Sequence, residues 1–179
     1  MSLLVLEMRF LGGPQDFNEV KQEISWRTEK NLEYTIQVAQ EYSDTAEKLK
    51  DSDLQTETLE EAIERMAQKA KDKIIKEFDE ATVWLKKYGG RVKSVLELDE
   101  RQESLLVAFI EKSNSYILTA VTRFCSYIID TLRQMYEGTV AVIEGTKLVV
   151  KKTKDFVASL ISAIRNYFQY SIGSTGTLA

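Results

Sequence analysis

The chain has 179 residues, of which 44% are hydrophobic and 29% are charged, and it contains one proline and eight glycines. This length suits one domain with a sizeable core, and the composition excludes wholesale disorder. The sequence has no histidine, which excludes Ser-His-Asp and Cys-His nucleophilic catalysis and the usual zinc sites. The single cysteine, Cys125, cannot form an intramolecular disulfide. We therefore expect a reducing compartment, or a protein that does not use disulfides.

The net charge of −4 is unevenly distributed along the chain. Residues 1–99 hold 15 basic and 21 acidic side chains, whereas residues 139–179 hold 5 basic and 2 acidic ones. The front part is therefore expected to present a solvated acidic surface, and the end of the chain a mildly basic one. So small a basic footprint on an acidic protein disfavours nucleic acid as a partner.

Residues 1–13 form a separate apolar arm in the sequence. Its candidate self-association residues alternate with other side chains: Leu4, Leu6, Met8 and Phe10. This pattern is typical of a short strand and equally compatible with an arm that docks on a neighbouring chain. Gly12-Gly13-Pro14 ends the segment. The arm lacks the basic start and the small-residue cleavage site of a signal peptide, and the chain has no apolar run of about 18 residues. We therefore expect neither a signal peptide nor a transmembrane helix.

Two long amphipathic helices are predicted next. The first begins at Asp16, which has a capping-box partner in Glu19, and ends in the turn formed by residues 50–53. The second begins at Thr58, with Glu61 as its reciprocal partner, and is expected to stop at Gly89-Gly90. Residues 91–98 are compatible with either a short helix or an extended segment.

The most apolar long stretch is residues 104–136, preceded by the capping pair Asp99 and Gln102. On a helical projection its apolar side chains cover about two-thirds of the circumference, whereas a surface helix needs only about a third. Several neighbours must therefore cover this helix, or part of it is a surface for another molecule. Within it, Cys125 is expected to be a packed thiol and not a reactive one.

The last part of the chain contains a break and a fourth helix. Gly138 and Gly145 bracket a β-branched run that is compatible with either a break between two helices or a small hairpin. Residues 146–170 again have helical periodicity, with a basic strip opposite the apolar side: Lys147, Lys151, Lys154 and Arg165. An interfacial lipid-binding helix has this pattern, and so does a core helix with a basic outer face. The strip is our candidate lipid or anion surface.

Catalytic chemistry has little support in the sequence. The carboxylates Glu57, Glu60, Glu61 and Glu64 are the densest acidic group, but their spacing places them on the solvated face of an amphipathic helix. Neither glycine pair has the strand, helix and lysine of a phosphate-binding loop. We expect no catalytic residue, no metal and no cofactor, and we infer no small-molecule substrate.

These patterns together predict an all-α protein, an elongated antiparallel four-helix bundle with the apolar N-terminal arm. The predicted parts are the arm at 1–13, the helical bundle at 14–172 and a polar tail at 173–179. The leading functional hypothesis is a non-enzymatic, coat- or scaffold-like subunit that forms a homo-oligomer through its arm and its C-terminal half. The alternative is a peripheral lipid-binding or membrane-active helical protein whose partner is an anionic membrane or lipid surface. A cytoplasmic or other intracellular assembly is the expected location.

Overall fold

The computed structural model describes residues 16–50 and 57–173, and these residues fold into four helices without a strand. The helices are α1 (Phe17–Lys50), α2 (Leu59–Val95), α3 (Glu100–Tyr136) and α4 (Val142–Gly173). At a rise of 1.5 Å per residue, each is roughly 48–55 Å long. The prediction of an all-α four-helix bundle is confirmed.

The four helices pack around a central pair, α1 and α3. Each member of this pair contacts the other three helices, and α2 and α4 flank the pair. Helices α1 and α4 are antiparallel, because Glu29 near the start of α1 pairs with Arg165 near the end of α4, and Glu47 near the end of α1 pairs with Lys147 near the start of α4. This arrangement explains why α3 is apolar over so much of its girth: three neighbours cover it.

An aromatic cluster fills the core where α1, α3 and α4 meet. The ring of Phe109 on α3 is 1% exposed, and its centroid lies 5.2 Å from that of Phe168, 6.0 Å from that of Phe17 and 6.2 Å from that of Tyr167. Further along α3, Phe124 and Ile128 are fully buried. Aromatic rings at these separations attract one another beyond the gain from burial alone, so this cluster ties three helices together.

The predicted helix starts are confirmed by their side-chain hydrogen bonds. Thr58 accepts from the backbone N–H of Glu61 while the Glu61 side chain accepts from that of Thr58, and Asp99 and Gln102 make the same reciprocal pair. At α1, the backbone N–H of Glu19 donates to Asp16 Oδ1 at 2.9 Å. The turn predicted at residues 50–53 falls largely outside the described residues.

The expectation that Gly89-Gly90 ends the second helix is wrong. Helix α2 continues through both glycines to Val95, so residues 91–95 are helical. The reason for glycine is tertiary: a Cβ added at Gly89 would lie 2.6 Å from Ile110 Cδ1 on α3. Gly89 thus permits a close approach of two helices, and nothing lies within 4 Å of a Cβ added at Gly90.

Of the two alternatives for residues 138–145, the helix break is the one observed. Gly138 has φ 71°, the left-handed conformation that glycine adopts without strain, and its N–H donates to the Met135 carbonyl. Helix α4 then begins at Val142, four residues earlier than predicted, and includes Gly145. A Cβ added at Gly145 would clash with the Met135 side chain. Glycine at this position therefore allows α3 and α4 to pack closely, and it does not form a hairpin turn.

Polar side chains interrupt the core along its length. Thr28 and Thr131 donate to carbonyls one turn earlier, and the Ser43 and Thr146 hydroxyls lie 3.4 Å apart across α1 and α4. Buried polar atoms without a hydrogen-bond partner among the described residues occur at Asn31 Nδ2, Tyr42 Oη, Ser113 Oγ and Thr153 Oγ1. Burying a polar atom without a partner generally costs about 1–3 kcal/mol, so these positions differ from the apolar core around them.

Candidate functional site

The outer side of α3, next to α2, exposes large apolar side chains. Leu118 is 49% exposed and Ile129 is 54% exposed. Leu118 precedes Tyr136 by 18 residues, which is five helical turns, and Ile129 precedes it by 7 residues, which is nearly two turns. Both therefore lie on the same side of α3 as Tyr136. The Tyr136 hydroxyl donates to Glu64 of α2 at 2.8 Å, which places that side of α3 against α2.

Helix α2 contributes two apolar side chains to the same region. Ile75 is 45% exposed, and Phe78 is half-buried against the core. They follow Glu64 by 11 and 14 residues, so they project towards α3 as Glu64 does. We define the α2–α3 face by the apolar side chains that these two helices leave partly or largely uncovered: Ile75, Phe78, Leu118, Cys125 and Ile129.

Charge is sparse along the α3 side of this face. Residues 113–129 contain one charged side chain, Arg123. Its guanidinium lies 5.6 Å from the centroid of the Phe156 ring of α4, on the other side of α3. Thr122, one turn beyond Leu118, is exposed but donates to the Leu118 carbonyl. The α3 side of the α2–α3 face therefore presents an uncharged strip about 25 Å long, at 1.5 Å per residue.

Cys125 lies within this face, half-buried and without a disulfide partner. Burial raises the pKa of its thiol, and the charge of Lys71 opposes that shift only in part. A thiol with a raised pKa is a weak nucleophile. This setting agrees with the prediction of a packed thiol.

The basic strip is largely engaged by α1. Lys147 Nζ lies 2.7 Å from Glu47 Oε1, and Arg165 binds Glu29 through two hydrogen bonds of 2.8 and 3.0 Å. These hydrogen bonds raise the pKa values of both basic side chains.

The remaining two basic residues differ from each other. Both are exposed and have no charged partner in the described part of the chain, but Lys154 Nζ lies 3.4 Å from Gln40 Oε1. Across from the strip, Phe168 is buried and Tyr167 is half-buried in the core. The apolar side of α4 is thus already covered by its own bundle.

Two groups of residues singled out in the sequence remain, the apolar residues of the N-terminal arm and the acidic group at the start of α2. The candidate self-association residues Leu4, Leu6, Met8 and Phe10 lie outside the described residues, so their role stays a prediction. In the acidic group, Glu57 binds Arg65 through two hydrogen bonds, Glu61 caps α2 and Glu64 accepts from Tyr136. Over residues 16–50 and 57–173, acidic and cysteine side chains form no group suited to a metal ion.

No protein-family model, curated protein or solved structure matches this chain. In the described part of the chain, none of the helices has a segment apolar enough, over the length that a bilayer requires, to cross a membrane.

Sequence reasoning missed a second surface feature, a groove between the start of α1 and the end of α4. Lys21 lies in this groove and is only 4% exposed. The signal was present in the sequence: Lys21 precedes Ile24 by three residues and Thr28 by seven, so it occupies a core position of the helical repeat. A lysine at such a position is unusual enough to mark the site.

Proposed function

We propose that this protein is a non-enzymatic structural or interaction subunit that self-associates through the α2–α3 face. The observation that carries the proposal is the exposure of Leu118 and Ile129 within an uncharged strip of α3. Single exposed apolar residues are ordinary, but a contiguous uncharged strip with several of them is typical of an interaction surface.

A second copy of the chain is the occupant that this face fits best. The α3 side of this face carries no charge around Leu118 and Ile129, so two copies that meet along α3 bury no unpaired charge there. A two-fold interface brings the same patch of each subunit together. The apolar side chains of one strip would then contact the apolar side chains of the same strip on the other subunit. The apolar arm at residues 1–13 supplies a further contact in this proposal, as the sequence predicts.

The absence of histidine and the engagement of the acidic group support a role without catalysis. Lipid binding through the basic strip has less support, because Lys147 and Arg165 are paired with carboxylates of α1. An anionic surface would have to compete with these contacts, which leaves Lys151 and Lys154 as the readily available cations among the four.

The test is a pair of double variants compared by sedimentation velocity. Leu118→Lys with Ile129→Lys places charges on the α2–α3 face, and we expect the native particle to dissociate to folded monomers. The matched control is Val83→Lys with Val95→Lys, since these valines are 51% and 52% exposed but lie off the face. The control should keep the native mass. Equal masses for the two double variants would refute an interface on this face.

A further inference from the structure

The groove between α1 and α4 has an open volume of about 410 Å³. We define the α1–α4 groove by six of its lining residues: Lys21, Ser25, Trp26, Glu29, Arg165 and Phe168. Trp26 is 36% exposed, whereas Phe168 is buried. The volume falls within the range of small-molecule sites, and aromatic side chains with a few polar groups are the usual lining of such sites.

Lys21 is the unusual residue in this groove. Its side chain is buried, and its ammonium lies 5.7 Å from the centroid of the Phe109 ring. Among the described residues, no carboxylate forms an ion pair with it. Lysine is almost never buried without such a partner, because removing an ammonium from water is costly. Burial accordingly lowers the pKa of Lys21.

The other charges of the groove cancel. Arg165 and Glu29 hold each other through two hydrogen bonds, so together they contribute no net charge. The groove therefore carries a single uncompensated positive charge, that of Lys21. A monoanion would complement it, whereas a phosphate dianion would leave one negative charge unmatched.

We propose that the α1–α4 groove binds a monocarboxylic acid with an apolar chain, with Lys21 as the partner of the carboxylate. Ser25 lies one turn from Lys21 and offers a hydroxyl donor. Trp26 and Phe168 supply apolar walls. From Lys21 to Glu29 the groove follows eight residues of α1, about 12 Å, which suits an extended medium-length chain. The site is separate from the α2–α3 face and does not depend on self-association.

Calorimetric titration of the full chain with decanoate, below its micellar concentration, tests the proposal. We expect saturable binding, and binding of decanol at least about tenfold weaker, because the alcohol lacks the charge that pairs with Lys21. Lys21→Met should weaken decanoate binding by about tenfold or more. The matched control, Lys48→Met, removes the same charge from an exposed site on the same helix and should leave the affinity unchanged.

Three results would overturn the proposal: no saturable decanoate binding, equal affinities for decanoate and decanol, or an unchanged affinity in Lys21→Met. Lys21→Met should melt at or above the temperature of the unmodified protein, since it removes a buried charge without breaking an ion pair. If it melts lower, NMR shift mapping on the unmodified protein decides. Decanoate must then perturb the Trp26 indole and the amide of Gln169, which also lines the groove. Perturbations confined to other parts of the chain would refute the site.

Discussion

The Phe109 cluster gives the sharpest quantitative prediction about the fold. Phe109→Ala removes a ring that is 1% exposed and contacts aromatic rings from α1 and α4. Those rings are held by their own helices, so the site cannot collapse fully around the smaller side chain. We expect a loss of about 3–5 kcal/mol in the free energy of unfolding. For a domain of this size, that loss lowers the melting temperature by roughly 6–20 °C.

Phe78→Ala is the matched control, because it makes the same chemical change at a half-buried position on α2. Part of the Phe78 ring is in contact with water in the folded subunit, so we expect roughly half the loss. Urea unfolding followed by far-UV circular dichroism measures both variants. Both variants must be measured at a concentration where the protein is monomeric, because Phe78 lies on the α2–α3 face and self-association adds to apparent stability. If Phe109→Ala costs no more than Phe78→Ala, the core does not centre on the contact of α1, α3 and α4.

Three further predictions concern local features of the chain. Gly90→Ala should raise the free energy of unfolding by about 0.5–1 kcal/mol in urea melts, because an added Cβ meets nothing. Gly89→Ala should bring no such gain, because its Cβ would lie 2.6 Å from Ile110 Cδ1 of α3. Burial raises the pKa of Tyr42, so above its ordinary pKa near 10 the unfolded chain ionises first and stability falls by about 1.4 kcal/mol per pH unit. Melts against pH should show a shallower alkaline loss in Tyr42→Phe, and an unchanged slope would contradict this. Deleting residues 1–11 should convert the native particle into a folded helical monomer, and an unchanged number of chains per particle in sedimentation would exclude a contact through the arm.

The sequence predicted the features that depend on neighbours along the chain. The capping pairs at Thr58 and Asp99 are recognisable because both partners lie within one turn, and each was confirmed. The apolar girth of α3 correctly indicated several covering helices. Local patterns of this kind were enough for the fold class.

The errors arose where the reason for a residue lies on another helix. Gly89 resembles a helix stop in the sequence, but it is there because Ile110 of α3 lies so close. The role of the basic strip stays a prediction, but the pairing of Lys147 with Glu47 and of Arg165 with Glu29 on α1 could not be foreseen from α4 alone. No spacing within one helix reveals which face of a distant helix will meet it.

The native mass of the 179-residue chain decides whether copies of it associate. One chain has a mass of 20.5 kDa. Sedimentation equilibrium of the unmodified protein at micromolar concentration, without lipid, should give a multiple of this mass if the α2–α3 face joins copies of the chain. A mass of one chain throughout that range would contradict the proposal of a self-associating subunit.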